Sequence, residues 1–583
     1  MSHLDYLVIA LYVAGLLAIG FIFSGKMKDS ATMFAAGSQS PWWVAGLSGF
    51  MTMFSAGTFV VWGGIAYQWG LVGITICLGN AVGVLLAGRF LAAHWWRLGV
   101  ATPAEYFELR FGKAAIRFYT VVNLLFKTVA MAVALYAIAV LLCALVPLPE
   151  NAPFRDAQTG NLAVSWAILL CGALVVVYTV AGGLWAVLMT DVLQFIVLSV
   201  GVLFVVPLSV AKVGGLGTFW SAAPEGFFKP TTGEYTWWFL IGWVAIQFVS
   251  VGGEWAFVQR YLCVPTPADA RRGTYLFGIL YIVSPLVWML PPMLYRVSNP
   301  GVDHEQAYIL ACRDVLPAGM LGLMLVAMFS ATASSVSSQL NVFSGVLTSD
   351  FYRRLFNPGA SERRLVLVGR IITVLLGGLL IGGALAVPWV GGAETVVLGV
   401  AALLIPPLML PTVWGLFSKR IDGRAVWLAV AVSFVASGFV KFGLAKNGWL
   451  DGLPILEPLT TLVQVQFRTV ETLVAVLVPL AVLSVMECVS PGTSAGWEKI
   501  ALQMQRERQL AAPRASSLPA WIVAWSLATL AMVMGSLSLF DRQQRQILAG
   551  FAISLAAIAV AFAWTARRRA RRSAIARQTP RSH

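Results

Sequence analysis

Met328-Phe-Ser-Ala-Thr-Ala-Ser-Ser-Val-Ser-Ser-Gln-Leu-Asn341 sits inside an apolar segment, 317–348, long enough to cross a bilayer. Its run of hydroxyls, from Ser330 and Thr332 to Ser337 and Ser338, is foreign to a helix that faces lipid. Ala331, Ser334 and Ser335 stand at i, i+3 and i+4 and so share one helix face. Ser334, Ser337 and Ser338 repeat that spacing one turn on. A small hard cation takes oxygen ligands. Neutral hydroxyls and unpaired carbonyls can strip a monovalent ion of water without holding it too tightly to leave. The competing reading of any two such serines is hydrogen bonding between helices. The density of hydroxyls here favours the ion.

Around this stretch the chain repeats the same kind of segment. About fifteen are of membrane length, near 4–22, 43–67, 70–92, 119–147, 163–181, 186–211, 236–258, 274–296, 317–348, 364–387, 394–416, 424–443, 467–488, 519–539 and 544–566. Of 583 residues, 59% are hydrophobic and 11% charged, and the mean hydropathy is +0.81. A soluble domain carries about 25% charged residues. The pattern predicts an all-α polytopic membrane protein. The net charge of +15 does not call for nucleic acid, because the cations fall between spans. Lys26, Lys28, Arg97, Arg110, Lys113, Arg117, Arg260, Arg271, Arg272, Arg353, Arg354, Arg363, Arg364, Lys419, Arg420, Arg424, Lys499, Arg506, Arg508, Arg514 and the seven arginines of the tail lie on alternate sides from Arg155, Lys212, Lys229, Arg296, Arg313, Lys446, Arg468, Arg542 and Arg545. The bias is about three to one and predicts an N-terminus outside and a C-terminus in the cytoplasm. The basic tail, 567–583, reads as a topology anchor near anionic lipid. Asp5 stands where a signal peptide would need basic residues, so the first segment reads as a retained span. The cysteines at 77, 143, 171, 263, 312 and 488 form no metal spacing and read as small core residues. In the loop 489–518, Trp497–Met504 reads as a short surface helix.

Two further segments break the membrane pattern. Met51-Thr-Met-Phe-Ser-Ala-Gly-Thr-Phe59, with Gly63-Gly64, interrupts the second. Val249-Ser-Val-Gly-Gly-Glu-Trp255 interrupts the seventh. Backbone polar groups cannot stay unpaired in lipid, so unwound helix belongs around a cavity. The two breaks occupy matching places, each opening five segments, which is a pointer to a transporter site. Close helix packing by the glycines is the competing reading. Asp191, Glu254 and Lys127 are ionisable groups inside spans, where such groups are costly and usually functional. Each reads as part of a site or as a paired structural charge.

Several stretches resemble the sodium/solute symporter family. They are Pro103-Ala-Glu-Tyr-Phe with Arg110-Phe-Gly112, and Tyr178-Thr-Val-Ala-Gly-Gly-Leu-Trp-Ala-Val with Thr190-Asp-Val-Leu-Gln194. Val258-Gln-Arg-Tyr261, the serine-rich span through Leu347-Thr-Ser-Asp-Phe-Tyr352, and Pro406-Pro407 with Gly415-Leu-Phe-Ser-Lys-Arg420 complete the match, which runs from about residue 5 to 440. The resemblance implies an inverted-repeat fold of five plus five helices and alternating access driven by sodium. It implies a leading segment at 1–40, repeats at 41–211 and 236–416, and peripheral helices at 417–488. A cytoplasmic loop (489–518), two extra helices (519–566) and the tail would follow. The main sodium site it implies takes carbonyls of Met51, Phe54 and Ala331 and hydroxyls of Ser334 and Ser335. A second sodium site would take Asp191, Ser334, Ser337 and Ser338.

A bacterial sugar carrier of that family uses Asn, Glu, Lys and Gln to read hydroxyls at positions where the resemblance places Met53, Cys77, Tyr281 and Leu398 of this chain. That departure argues against a hexose. Thr58, Asn80 and Glu254 remain as polar candidates for the pocket, and Glu254 would meet an amine, a hydroxyl or a protein cation. The expectation is a sodium-coupled importer of a small organic solute in a cell inner membrane, with Na+ as coupling ion and no other cofactor. The alternatives are proton coupling, with Asp191 or Glu254 titrating, and a solute sensor of the same fold. The chain lacks the acid clusters or nucleophile constellation of an integral-membrane enzyme.

Overall fold

The computed structural model describes residues 2–24, 39–100, 102–390, 392–446, 448–450, 457–490, 492–507, 518–540 and 545–578. Lys26, Lys28, Arg508, Arg514, Arg542 and Arg581 from the loop and tail readings lie outside them. So do the side chains of Tyr178 and 181–187 within the Gly-Gly motif. Among the described residues the elements are helical, with two isolated β-bridges, Pro147 to Asn161 and Arg155 to Leu162, in the connection before Val164.

The helices used below are α1 (His3–Ser24), α2 (Trp42–Met53), α3 (Thr58–Trp69), α4 (Leu71–Arg97), α5 (Pro103–Phe111) and α6 (Lys113–Cys143). They continue with α7 (Val164–Val213), α8 (Trp237–Gly253), α9 (Trp255–Leu262), α10 (Pro267–Ser298), α11 (Ala307–Val315) and α12 (Met320–Val346). The rest are α13 (Glu362–Ala386), α14 (Gly392–Gly415), α15 (Gly423–Leu444), α16 (Phe467–Val489), α17 (Ala495–Glu507), α18 (Leu518–Phe540) and α19 (Arg545–Gln578).

Among the described residues ten helices are long and apolar enough to cross a membrane, or twelve with each bent pair taken as one span. The other expected segments lie in α1, the first part of α7 and α18. No loop parts the fifth and sixth expected segments: α7 runs unbroken over 50 residues, at 1.5 Å each more than two bilayer cores long. Large apolar side chains point outward on the rim, among them Leu170, Leu375, Val435 and Trp525, each more than half exposed. Such surface suits lipid. The chain is therefore read as an integral, multi-pass membrane protein.

α12 is the buried axis. It packs on α7, α1 and α6, and every residue from Met320 to Val346 is buried except Ser335. Asp5 of α1 holds its N-terminal end. One carboxylate oxygen accepts from the Gly319 and Gly322 N–H groups at 2.7 and 2.8 Å, where a helix leaves donors unpaired and favours negative charge. α2 crosses α10 at backbone contact, since a Cβ on Gly46 would lie 2.5 Å from the Gly273 carbonyl oxygen. The surface helix expected at Trp497–Met504 is α17, two to three residues longer at each end. α18 and α19 pack chiefly on one another and touch α7. Five cysteines are buried as expected, whereas Cys488 is exposed.

Two cations counted as loop charges are interior. Arg110 is buried and donates to the carbonyls of Gly415, Ile421 and Ser418 and to Ser494 Oγ. Arg260 is buried on α9. A guanidinium supplies five donors in a planar fork, which is why both can gather partners where a lysine would not.

Candidate functional site

Both interrupted segments are bent. α2 and α3 meet at 62°, and α8 and α9 at 54°. The first break falls at Phe54, whose backbone is extended (φ −99°, ψ 129°) and whose N–H donates back to the Met51 carbonyl at 3.2 Å. Gly63 and Gly64 do not unwind. They lie within α3 and admit Tyr308 and His304. The second break falls at Glu254 (φ −69°, ψ 131°), one residue beyond Gly252-Gly253. Those glycines pack closely, on Leu91 and Met409.

α12 stitches the first break. The Ala56 N–H donates to Thr332 Oγ1 at 2.8 Å, and Ser335 Oγ donates to the Thr52 carbonyl at 3.1 Å. Groups orphaned by the interrupted helix thus find hydroxyls almost 300 residues away. Of the expected main-site residues, Ser335 meets the Met51–Phe54 segment, at the Thr52 carbonyl; the Met51 carbonyl accepts from the Phe54 N–H, the Ser334 hydroxyl is turned to Asp191, and Ala331 is buried on the same helix. Thr332 has the more direct contact. Its hydroxyl was one of many in the stretch, and only the fold distinguishes it.

Asp191, Ser334, Ser337 and Ser338 form a second, fully buried cluster. Ser334 and Ser48 donate to separate oxygens of Asp191, and Ser337 Oγ donates to the Ser334 carbonyl at 3.1 Å. Arg260 donates to Ser48 Oγ at 3.2 Å and Ser338 Oγ at 2.9 Å, and its guanidinium lies 3.9 Å from Asp191. Ser48 and Arg260 are additions to the expected residues. In the sequence Arg260 reads as a loop charge and as part of the Val258–Tyr261 motif, and Ser48 lies outside every motif.

A cavity of about 220 Å³ opens between the two breaks. Met53, Thr58, Asn80, Glu254 and Tyr281 line it, together with Thr52, Ser335, Trp62, Lys127, Gln247, Ser250 and Gln339. Cys77 and Leu398 do not. Cys77 is packed with Ala66, Ile74, Met289 and Met293. Leu398 is buried in the main core, while its neighbours Val396, Val397 and Ala401 face the cavity. Glu254 meets a protein cation: Lys127 Nζ is 2.6 Å from its Oε2, and Gln339 Nε2 donates to its Oε1 at 2.5 Å. Asn80 accepts from the Trp243 indole at 2.7 Å. Among the described residues no group of His, Cys, Asp and Glu could hold a transition metal.

Two bent helices around a cavity, one of them stitched to a buried hydroxyl-rich helix, define a membrane transport protein. The chain belongs to the sodium:solute symporter family, whose sequence profile matches residues 33–430. It is 25% identical over 515 residues to the sodium/glucose cotransporter of Vibrio parahaemolyticus, covering 81% of this chain and 91% of that one. It is 25% identical over 479 residues to a sodium/sialic acid symporter of Proteus mirabilis, covering 78% and 92%. It is similar in fold to the substrate-bound, outward-open structure of a Na+-coupled sialic acid symporter. The TM-score is 0.69 at 22% identity, over 85% of this chain and 99% of that one. The matched proteins are transporters.

Proposed function

We propose that the protein is a sodium-coupled symporter that carries a small organic solute by alternating access. The observation that carries this reading is the stitch between the α2–α3 break and α12, because Thr52 and Ser335 also line the solute cavity. An ion held by the Met51, Phe54 and Ala331 carbonyls and the Ser334 and Ser335 hydroxyls would tie the break to α12 at the cavity wall. Sodium and solute would then stabilise one arrangement together, and such coupling is reciprocal. The Asp191 cluster supplies the oxygens of a second sodium site. Residues 41–211 and 236–416 are read as inverted repeats, supported by a bent helix at the head of each. The basic loops support a cytoplasmic C-terminus and residence in a cell inner membrane.

The energetics suffice. A tenfold sodium gradient supplies about 1.4 kcal/mol, and −100 mV adds about 2.3 kcal/mol per charge. One ion would concentrate a neutral solute several hundred-fold, and a second would square that ratio. The cavity walls are largely apolar, from Trp62, Phe126, Val396 and Ile405. They suit a solute less polar than a hexose.

The test is uptake into proteoliposomes with an inward sodium gradient, across sugars, amino acids, monocarboxylates, polyols and vitamins. One solute class should accumulate with sodium and not with potassium. Accumulation driven by a pH gradient alone would move the coupling to protons. Solute binding without accumulation would mark a sensor.

A further inference from the structure

Asp191 lies in a cluster that already contains a cation. Arg260 reaches it from α9, the short half of the second bent helix, and touches three other helices there: α2 through Ser48, α12 through Ser338 and α7 through Asp191 itself. The pair is not closed. Arginine and carboxylate frequently meet in a bidentate fork, but this guanidinium is 3.9 Å from the nearer Asp191 oxygen, and the Ser48 hydroxyl intervenes. Asp191 receives hydroxyl protons from Ser48 and Ser334. A carboxylate offers about four lone-pair sites, so it retains capacity for a cation. Arg260 and Asp191 are both buried and neutral as a pair. A sodium ion entering beside the arginine would put two positive charges against one negative in a dry site, where their repulsion is poorly screened.

We propose that Arg260 is a tethered cation that stands in for sodium at Asp191, so that sodium entering the second site displaces the guanidinium and releases α9. This rests on the symport reading. Glu254, the hinge residue between α8 and α9, lines the solute cavity. Displacing Arg260 therefore loosens the half-helix that begins at the solute. Arg260 is a positioning residue for the solute site and a competitor for the ion. The exchange gives the second sodium a mechanical consequence that a site made of serines alone would lack.

The experiment is thermal unfolding of the purified protein over a sodium titration at constant ionic strength, with potassium as replacement, for wild type and Arg260→Gln. In potassium the variant should melt lower, because Asp191 has lost its cation. In sodium it should recover towards wild type, with a half-saturating sodium concentration lowered about tenfold. Arg260→Lys should fall between the two. A deficit equal at every sodium concentration would make Arg260 merely structural and overturn the proposal. If Arg260→Gln fails to fold, Asp191→Asn/Arg260→Gln removes both charges. It should fold and show a sodium response with a Hill slope near one, and an unchanged wild-type slope would overturn the proposal. A wild-type protein indifferent to sodium would instead overturn the symport reading on which the proposal rests.

Discussion

Lys127 Nζ stands 2.6 Å from Glu254 Oε2, and the pair forms part of the wall of the cavity between the two bent helices. Lys127 comes from the uninterrupted α6 and Glu254 from the hinge of α8 and α9, so the ion pair ties a continuous helix to a bent one. Both side chains are buried. Breaking such a pair from one side leaves an uncompensated charge, which typically costs about 3–5 kcal/mol. Lys127→Met and Glu254→Gln should each lower the melting temperature strongly, whereas Lys127→Met/Glu254→Gln should regain most of the loss. A double-mutant cycle checks this, and simple additivity would mean the two charges do not depend on one another.

Thr332 holds the α2–α3 break through the Ala56 N–H. Thr332→Val keeps the shape and removes the acceptor, leaving a buried donor unpaired at about 1–3 kcal/mol. The variant should be destabilised and need more sodium for half-maximal uptake. Thr332→Ser should restore both. Unfolding curves with uptake titrations test this, and a valine variant equal to wild type would contradict it.

Asp191→Asn removes the charge of the second cluster while keeping its shape. The slope of uptake against sodium should fall from above one to near one. An unchanged Hill slope would exclude a second sodium at Asp191.

Asp5 accepts from two N–H groups at the start of α12. Asp5→Ala orphans both and should destabilise the protein by about 2 kcal/mol or more, with the melting temperature falling equally in sodium and in potassium. A loss confined to one ion would mean that α1 takes part in ion binding.

Much of this arrangement was legible from residue order. Segment length marks the spans, except that no loop parts the fifth and sixth, and glycines next to polar residues mark the two breaks to within a few positions. The breaks themselves are at Phe54 and Glu254, beside the glycines rather than on them, because Gly252 and Gly253 serve close packing instead. Local pattern picks out Ser334, Ser335 and Asp191. Sequence could not reveal which partner each would find. Arg260 reads as a loop charge because a chain-order count of cations does not show that α9 turns inward. Lys127 and Glu254 are each visible as an odd charge within a span, but their pairing depends on two helices meeting. Cys77 and Leu398 fall on cavity-bearing helices yet face the core, a matter of helix rotation that alignment to relatives near 25% identity does not fix.

In the proposed function, sodium binds where α12 meets the α2–α3 break. The most direct measurement is thermal unfolding of wild type, Ser334→Ala and Ser335→Ala in sodium titrated against potassium, without solute. Ligand binding to the folded state raises stability by mass action. Sodium alone should stabilise the wild type, whereas the alanine variants, already lowered in potassium by the lost Asp191 and Thr52 hydrogen bonds, should need at least about tenfold more sodium for the same shift. Variants that follow the wild-type sodium curve would contradict it.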